Sequence, residues 1–429
     1  MDRLLVTGGA RLEGAVRVSG AKNAALKLMA GSILAPGRSV LRNVPRILDC
    51  HLMGRVLEHL GVGVAWDGDA VTIDAGEVAS VEAPYELVRR MRASIVVLGP
   101  LLARTGHAKV SMPGGDEIGT RPIDLHLAGL ERMGAEITLE HGFVHAHARH
   151  GLRGAALTLD YPSVGATENL MMAAVAARGV TVIDNAAREP EIADVAGFLR
   201  AMGARVEGAG TSTIHVEGVD GFEPVEHRTM PDRIEAGTWA IAAVATAGDV
   251  VLRDARPEHL EILLSKLADA GADVSVTLDG LRVRQRRRPR AIDFVTLPYP
   301  GVATDFQPIL LAMLSVADGT GIATENVFES RFLYVDELRR MGADIRTEGH
   351  HAVVRGVPRL SAAPVRALDI RAGAAMVVAA LCADGTTEIG DLHHLDRGYE
   401  DLEAKLTALG AEVRREGGAV VVPEAAGTW

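Results

Sequence analysis

A chain of 429 residues exceeds what one hydrophobic core normally serves, so two large domains are expected. Apolar residues make up 48% and charged residues 24%, ordinary soluble usage, and aromatics at 3% leave too few rings for base-stacking or aromatic sugar-binding surfaces. The net charge of -11 argues against a nucleic-acid-wrapping protein. The two cysteines, Cys50 and Cys382, argue against a disulfide framework and fit a reducing cytosol.

Glycines and polar residues interrupt the N-terminal MDRLLVTGGARLEG too early for a signal peptide. The longest apolar runs, such as SIVVLGPLLA at 94–103, are about half of a membrane span. A soluble, cytoplasmic protein without membrane insertion is expected.

In chain order, one set of elements recurs six times. Each set opens with a very apolar helix: NAALKLMAGSILA, RASIVVLGPLLA, TENLMMAAVAA, IEAGTWAIAAVA, DFQPILLAMLSVA and RAGAAMVVAALCA. None has a clear polar face, so each should be buried on all sides. A short strand follows a glycine, as in GRSVLRNV, GHAKVSMP and GVTVIDNA. Next comes an amphipathic helix that ends in Gly followed by Ala or Val, at Gly61, Gly134, Gly203, Gly271, Gly342 and Gly410. The intervals of 73, 69, 68, 71 and 68 residues make the period nearly constant. Glycine there suits the left-handed residue that closes a helix. Alternating residues such as AEITLEHGFVHAHA then predict a hairpin. Six such units, grouped three and three with helices inside and strands outside, make an inside-out α/β architecture. A solenoid would have shorter repeats and polar capping units.

The residues that open the apolar helices are chemically unlike the bodies that follow. They are Lys22 and Asn23, Arg92, Thr167 and Glu168, Arg233 and Glu235, Thr304 and Asp305, and Arg371. Glu168, Glu235 and Asp305 complement a helix N-terminus or cap it. Lys22, Arg92, Arg233 and Arg371 do not: a cation beside the positive end of a helix is unfavourable unless an anion lies between them. Four such placements point to a polyanionic ligand. Asp305 has no obvious structural partner in the sequence.

PGGDEIGTRP at 113–122 reads as a glycine-hinged mobile loop carrying Asp116 and Arg121. HLDRGYE places Arg397 at a corresponding turn of the sixth unit, and RVRQRRRPR at 282–290 reads as a solvated hairpin end. No Walker phosphate loop, dinucleotide fingerprint, HExxH or paired CxxC occurs, so nothing calls for a metal or a cofactor.

GAKNAAL, MRAS, PGGDEIGTRPIDLH, PSVGATEN, NAAREPEI, DRIEAGT, ENVFESRF, DIRAG and HLDRGYE, collinear over essentially the whole chain, resemble the UDP-N-acetylglucosamine 1-carboxyvinyltransferase family of enolpyruvyl transferases. The resemblance implies a two-domain inside-out α/β barrel with three repeats per domain. Residues 22–230 would form one domain, carrying the loop 113–122, and 1–21 plus 231–429 the other, with the active site in the cleft between them. It implies phosphoenolpyruvate and UDP-N-acetylglucosamine as substrates, no cofactor, and a first step in peptidoglycan synthesis.

By the same resemblance, Lys22, Asn23, Arg92, Arg121 and Arg397 bind phosphoenolpyruvate. Arg121, Pro122, Ile123, Asp124 and Leu125, with Ser163, Val164 and Gly165, contact the uridine and diphosphate. Thr304 and Val327 touch the sugar nucleotide, Asp305 accepts the proton of the sugar 3-hydroxyl, and Asp369, Arg371 and Arg331 line or support that side. Many relatives carry cysteine where this chain has Asp116. A carboxylate is a poorer nucleophile than a thiolate, so Asp116 reads as the proton donor to the enol methylene, and resistance to the epoxide fosfomycin is implied. Two other readings stand beside this one. They are an enolpyruvyl transferase for another acceptor (a nucleoside monophosphate or shikimate 3-phosphate) and a non-catalytic nucleotide-sugar-binding repeat protein. Phosphate release with each acceptor separates them.

Overall fold

The computed structural model describes residues 2–114 and 118–417. The chain divides into two compact units, one of Met1–Ser19, Glu117–Thr120 and Pro231–Trp429, the other of Gly20–Asp116 and Arg121–Met230. Each has its own hydrophobic core. The change of unit falls at Ser19 and Gly20, two residues before the expected position, and backbone pairing gives the reason. Asp232 donates its N–H to Ser19 O at 2.8 Å, and Ala21 donates to Met230 O at 2.7 Å.

Each unit contains three four-stranded sheets, and all six share one plan. The strand after the glycine pairs parallel with an edge strand and antiparallel with the second strand of the hairpin, a place that Arg3–Thr7 takes in the sixth. In the repeat around Gly134, for example, His107–Ser111 lies between Glu82–Ala83 and Phe143–His147, with Glu136–Glu140 outermost. Strands alternate buried and less buried residues, as in the pattern of Val144 and the half-buried His145, which turns one face of the sheet toward solvent.

Two of the sheets in the first unit borrow strands from the N-terminus. Arg3–Thr7 completes the sheet of the sixth repeat, against Thr386–Gly390 and Glu412–Glu416. Glu13–Arg17 is the parallel edge of the fourth, against Asp249–Arg253.

The apolar helices are α1 (Lys22–Gly31), α2 (Leu98–Thr105), α3 (Val164–Ala174), α4 (Arg233–Ala245), α5 (Gln307–Ser315) and α6 (Ile370–Leu381). Every residue of α4, α5 and α6 is buried, so these helices form the inside of their unit. Two departures from expectation concern helix starts. Arg92, and Thr304 followed by Asp305, open 3-10 turns, Arg92–Val97 and Thr304–Phe306, that lead into α2 and α5. Thr167 and Glu168 do not open α3, because Ser163 caps it by accepting the Ala166 N–H.

All six repeat glycines have the left-handed conformation, with φ between 87° and 104°. After each, the next residue donates to the carbonyl five residues back, as Ala135 does to Leu130 O at 3.0 Å. That pair of features is the Schellman closure. Among the described residues no helix is long and apolar enough to cross a membrane.

Candidate active site

The second unit gathers the helix starts of α1, α2 and α3. The Arg92 Nη2 donates to Pro122 O at 3.2 Å, which brings the Arg92 turn to the segment Arg121–Leu125. Burial, and then the like charge of Arg121, pull the Arg92 guanidinium down to about 10. It stays charged at neutral pH, and among the described residues Arg92 has no carboxylate partner. The charge of Arg92, beside the like charge of Arg121, suits an anion with several oxygens.

An amide and an imidazole tie these segments together. Asn169 in α3 accepts the Gly99 N–H of α2 at 2.8 Å through Oδ1, which orients its Nδ2 toward His126 Nδ1 at 2.9 Å. An amide nitrogen only donates, so His126 Nδ1 accepts and its proton sits on Nε2. Burial, with the charges of Arg92 and Lys27 adding, holds His126 down at about 4, and the ring is neutral. Its Nε2 lies beside Gly165, where a Cβ would approach within 3.4 Å. Neither Asn169 nor His126 stands out in the sequence, although ATEN and DLHL contain them.

The cations at helix starts need a correction. Lys22 is buried and pairs with Asp49 at 2.6 Å. Asp232 and Asp369 cap α4 and α6, Asp232 accepting the Ile234 and Glu235 N–H groups and Asp369 those of Arg371 and Ala372. Carboxylates of the protein therefore accompany three of the four cations, and among the described residues Arg92 is the one of the four that still asks for an outside anion. Thr167 and Glu168 serve the interior. Thr167 accepts the Ala187 N–H at 3.0 Å, and Glu168 pairs with Lys27 at 3.2 Å, where burial pushes its carboxyl up to about 7 against the pull of Lys27.

In the first unit Thr304, Asp305, Val327, Arg331, Asp369 and Arg371 come together. Arg371 Nε donates to Asp305 Oδ1 at 2.8 Å, so Asp305 has a structural partner after all. Burial alone would raise its pKa, but Arg371, Arg331 and Arg233 outweigh it and hold the carboxyl well below the usual range. Oδ2 has no hydrogen-bond partner among the described residues, and 30% of the side chain is exposed. Arg331 donates to Thr304 O at 3.5 Å and lies 3.7 Å from Asp369. Glu325 organises the rest. It accepts the Thr304 hydroxyl at 3.0 Å and the Val327 N–H at 2.8 Å.

Arg397 is half-buried just after the short helix His393–Asp396. Asn23 and Ser163–Gly165 are half-buried at the starts of α1 and α3. Asp116 lies outside the described residues. Of the glycine-rich segment, Ile118–Thr120 belongs with the first unit, where Thr120 donates both N–H and Oγ1 to Glu329 Oε1 at 2.6 and 2.5 Å. Among the described residues no group of three or more potential ligands could hold a metal ion.

The EPSP synthase (3-phosphoshikimate 1-carboxyvinyltransferase) family matches residues 6–406. A UDP-N-acetylglucosamine 1-carboxyvinyltransferase from Nocardia farcinica is 54% identical over 424 residues, 97% of this chain and 99% of that one. One of the same name from Corynebacterium jeikeium is 53% identical, over 96% of this chain and 99% of its own. Among solved structures, the enolpyruvyl transferase NikO from Streptomyces tendae superposes with a TM-score of 0.86 at 28% identity, covering 96% of this chain and 98% of that one. EPSP synthase from Acinetobacter baumannii, at 18% identity and a TM-score of 0.77 over 97% of this chain and 100% of that one, shares the mixed α/β fold. The chain belongs to the UDP-N-acetylglucosamine 1-carboxyvinyltransferase family of enolpyruvyl transferases.

Proposed function

We propose that the protein transfers the enolpyruvyl group of phosphoenolpyruvate to the 3-hydroxyl of UDP-N-acetylglucosamine, releasing phosphate, as a first step of peptidoglycan synthesis in the cytoplasm. The observation that carries this reading is Asp305, a carboxylate kept ionised by three arginines with one oxygen unengaged. The names of relatives more than 50% identical over nearly the whole chain support the substrates. Each unit is read as an inside-out α/β barrel of three repeats, a reading supported by the buried helices and half-exposed sheets.

The reaction is an addition followed by an elimination. The sugar O3 bonds to C2 of phosphoenolpyruvate and gives its proton to Asp305, while the C3 methylene takes a proton and becomes a methyl group. C3 then loses a proton, the bond from C2 to the phosphate oxygen breaks, and the vinyl ether and phosphate leave. A carboxylate held so far down is a weak base, so it takes the proton only as the O3–C2 bond forms and the hydroxyl grows acidic. Lys22, Arg92, Arg121 and Arg397 are assigned to the carboxylate and phosphate of phosphoenolpyruvate, where fixed positive charge also stabilises the developing oxocarbenium-like centre's anionic neighbours. The first turn of α3, at Ser163–Gly165, is assigned to the diphosphate and uridine, with Thr304 and Val327 at the sugar.

Asp116 is assigned as proton donor to C3. A carboxylate is a poor nucleophile toward an epoxide, so the enzyme should resist covalent inactivation by fosfomycin and Asp116→Cys should become sensitive. Inactivation of the native protein, with an adduct within residues 113–122, would refute that assignment. The function itself is tested by incubating both substrates and identifying the product by NMR. An enol ether on O3 is expected. Asp305→Ala should stay folded and lose about 10²–10⁴-fold in turnover; more than half of normal turnover would overturn the role of Asp305.

A further inference from the structure

Tyr399 takes no part in the chemistry above, yet it is 95% buried, at 5% exposure, against the residue that holds Asp305. Its neighbours fix the direction of every hydrogen bond it makes. Thr238 in α4, also buried, donates its hydroxyl proton to Ile234 O at 2.8 Å. That hydroxyl can then only accept from Tyr399, whose oxygen lies 3.0 Å away. With its own proton directed to Thr238, the Tyr399 oxygen presents its lone pairs to Arg371, and Arg371 Nη1 donates to it at 3.3 Å. Arg371 Nε donates to Asp305 Oδ1 at 2.8 Å. The Arg371 guanidinium also lies 5.7 Å from the centre of the Tyr399 ring. Gly398 permits this approach, since a Cβ there would meet Ile370 Cγ2 at 2.4 Å.

We propose that Tyr399 is a positioning residue for the transfer reaction: clamped by Thr238, its hydroxyl fixes the Arg371 guanidinium and, through it, the orientation of the Asp305 carboxylate. The proposal rests on the role given to Asp305 above. The polar groups around this chain are few. Asp305 faces Arg371, Arg331 and Arg233. Arg371 faces Tyr399, Asp305 and Asp232, and Tyr399 faces Arg371, Thr238 and Asp232. Asp369 caps the helix under Arg371, Glu325 holds Thr304, and on α4 Glu235 is engaged by Lys405 at 2.5 Å. Burial pushes the Tyr399 phenol above its ordinary value, so it remains a neutral donor throughout the working range. A guanidinium with two of its donors fixed cannot pivot about one bond, and the carboxylate it holds keeps one geometry.

The test compares Tyr399→Phe with the native protein in steady-state turnover of phosphoenolpyruvate and UDP-N-acetylglucosamine across the acid range. The expected result is a fall in kcat of about tenfold or more, as for a misplaced reacting group, with both KM values changed by less than about threefold. Loss of activity through protonation of Asp305, confined below about pH 4 in the native protein, should set in at higher pH and give a new acid limb, because a loosely held Arg371 depresses Asp305 less. Thr238→Val should follow Tyr399→Phe and stands in for it if that variant does not fold, while Thr238→Ser keeps the acceptor and should keep the native profile. Native kcat in Tyr399→Phe, or a reduced kcat with no acid loss at higher pH than in the native protein, overturns the proposal. Asp305→Asn separates the two levels: activity retained there refutes the role of Asp305 itself. An inactive Asp305→Asn beside a native Tyr399→Phe refutes only the positioning.

Discussion

At Asp305 burial and three arginines act in opposite directions, and the arginines win. A carboxyl whose folded pKa is depressed contributes stability above its ordinary value of about 3.9, lost as pH falls toward the folded value. Asp305 therefore stays ionised throughout the working range, and its protonation should not set an acid limb above about pH 4. A limb that lies higher and disappears in Asp305→Asn, measured on whatever turnover remains, would contradict this. Arg92 makes the opposite kind of prediction. Its charge is held beside Arg121 at a cost, so Arg92→Ala should leave the melting temperature nearly unchanged while phosphoenolpyruvate binds about tenfold more weakly or worse, ~1.4 kcal/mol. Calorimetry showing equal loss for the sugar nucleotide would misplace it. Lys22→Ala differs again. Asp49 would lose its buried partner, at about 3 kcal/mol, so weak binding in that variant counts only after its stability has been measured. The kinds of residue at the helix starts were legible in the sequence because they interrupt apolar runs. Their partners Asp49 and Tyr399 were not, because they come from other elements and carry no local pattern.

The elements themselves follow from local chemistry to a large extent. Six glycines at near-constant spacing close six helices in one way, and apolar runs without a polar face become buried helices. Helix starts were less legible. Ser163 begins α3 four residues before Thr167, since a capping serine and the glycine after it look like loop in a one-dimensional reading. The segment 113–122 shows the same limit. Its glycines announce a hinge, but Thr120 within it is attached to the carboxylate of Glu329, far along the chain. The Thr120 hydrogen bonds pull Glu329 down to about 2, so this attachment should be complete above the ordinary carboxylate pKa and fail as pH drops toward that value. Glu329→Gln should speed amide exchange in 118–121, and UDP-N-acetylglucosamine should slow it again. Exchange there that ignores both the substitution and the ligand would argue that the loop is held by other means.

For the molecule as a whole, length and repeats lead to an expectation of two three-repeat bodies; the chain forms two compact units, each with its own hydrophobic core. The use of Arg3–Thr7 and Glu13–Arg17 as strands in the sheets of the sixth and fourth repeats was beyond a reading by periodicity, because each pairs with residues more than 200 positions away. The two units hold different chemistry. One has the Arg92 guanidinium, without a carboxylate partner among the described residues, ahead of α2, the other an ionised carboxylate with one oxygen unengaged among the described residues. An anionic enol donor and an alcohol acceptor match those two sets of groups. The most direct measurement is phosphate release from phosphoenolpyruvate by the native protein, with UDP-N-acetylglucosamine, shikimate 3-phosphate or a nucleoside monophosphate as acceptor. Release that requires UDP-N-acetylglucosamine and collapses in Asp305→Ala is the predicted result; release driven equally well by another acceptor, or none with UDP-N-acetylglucosamine, would contradict the account.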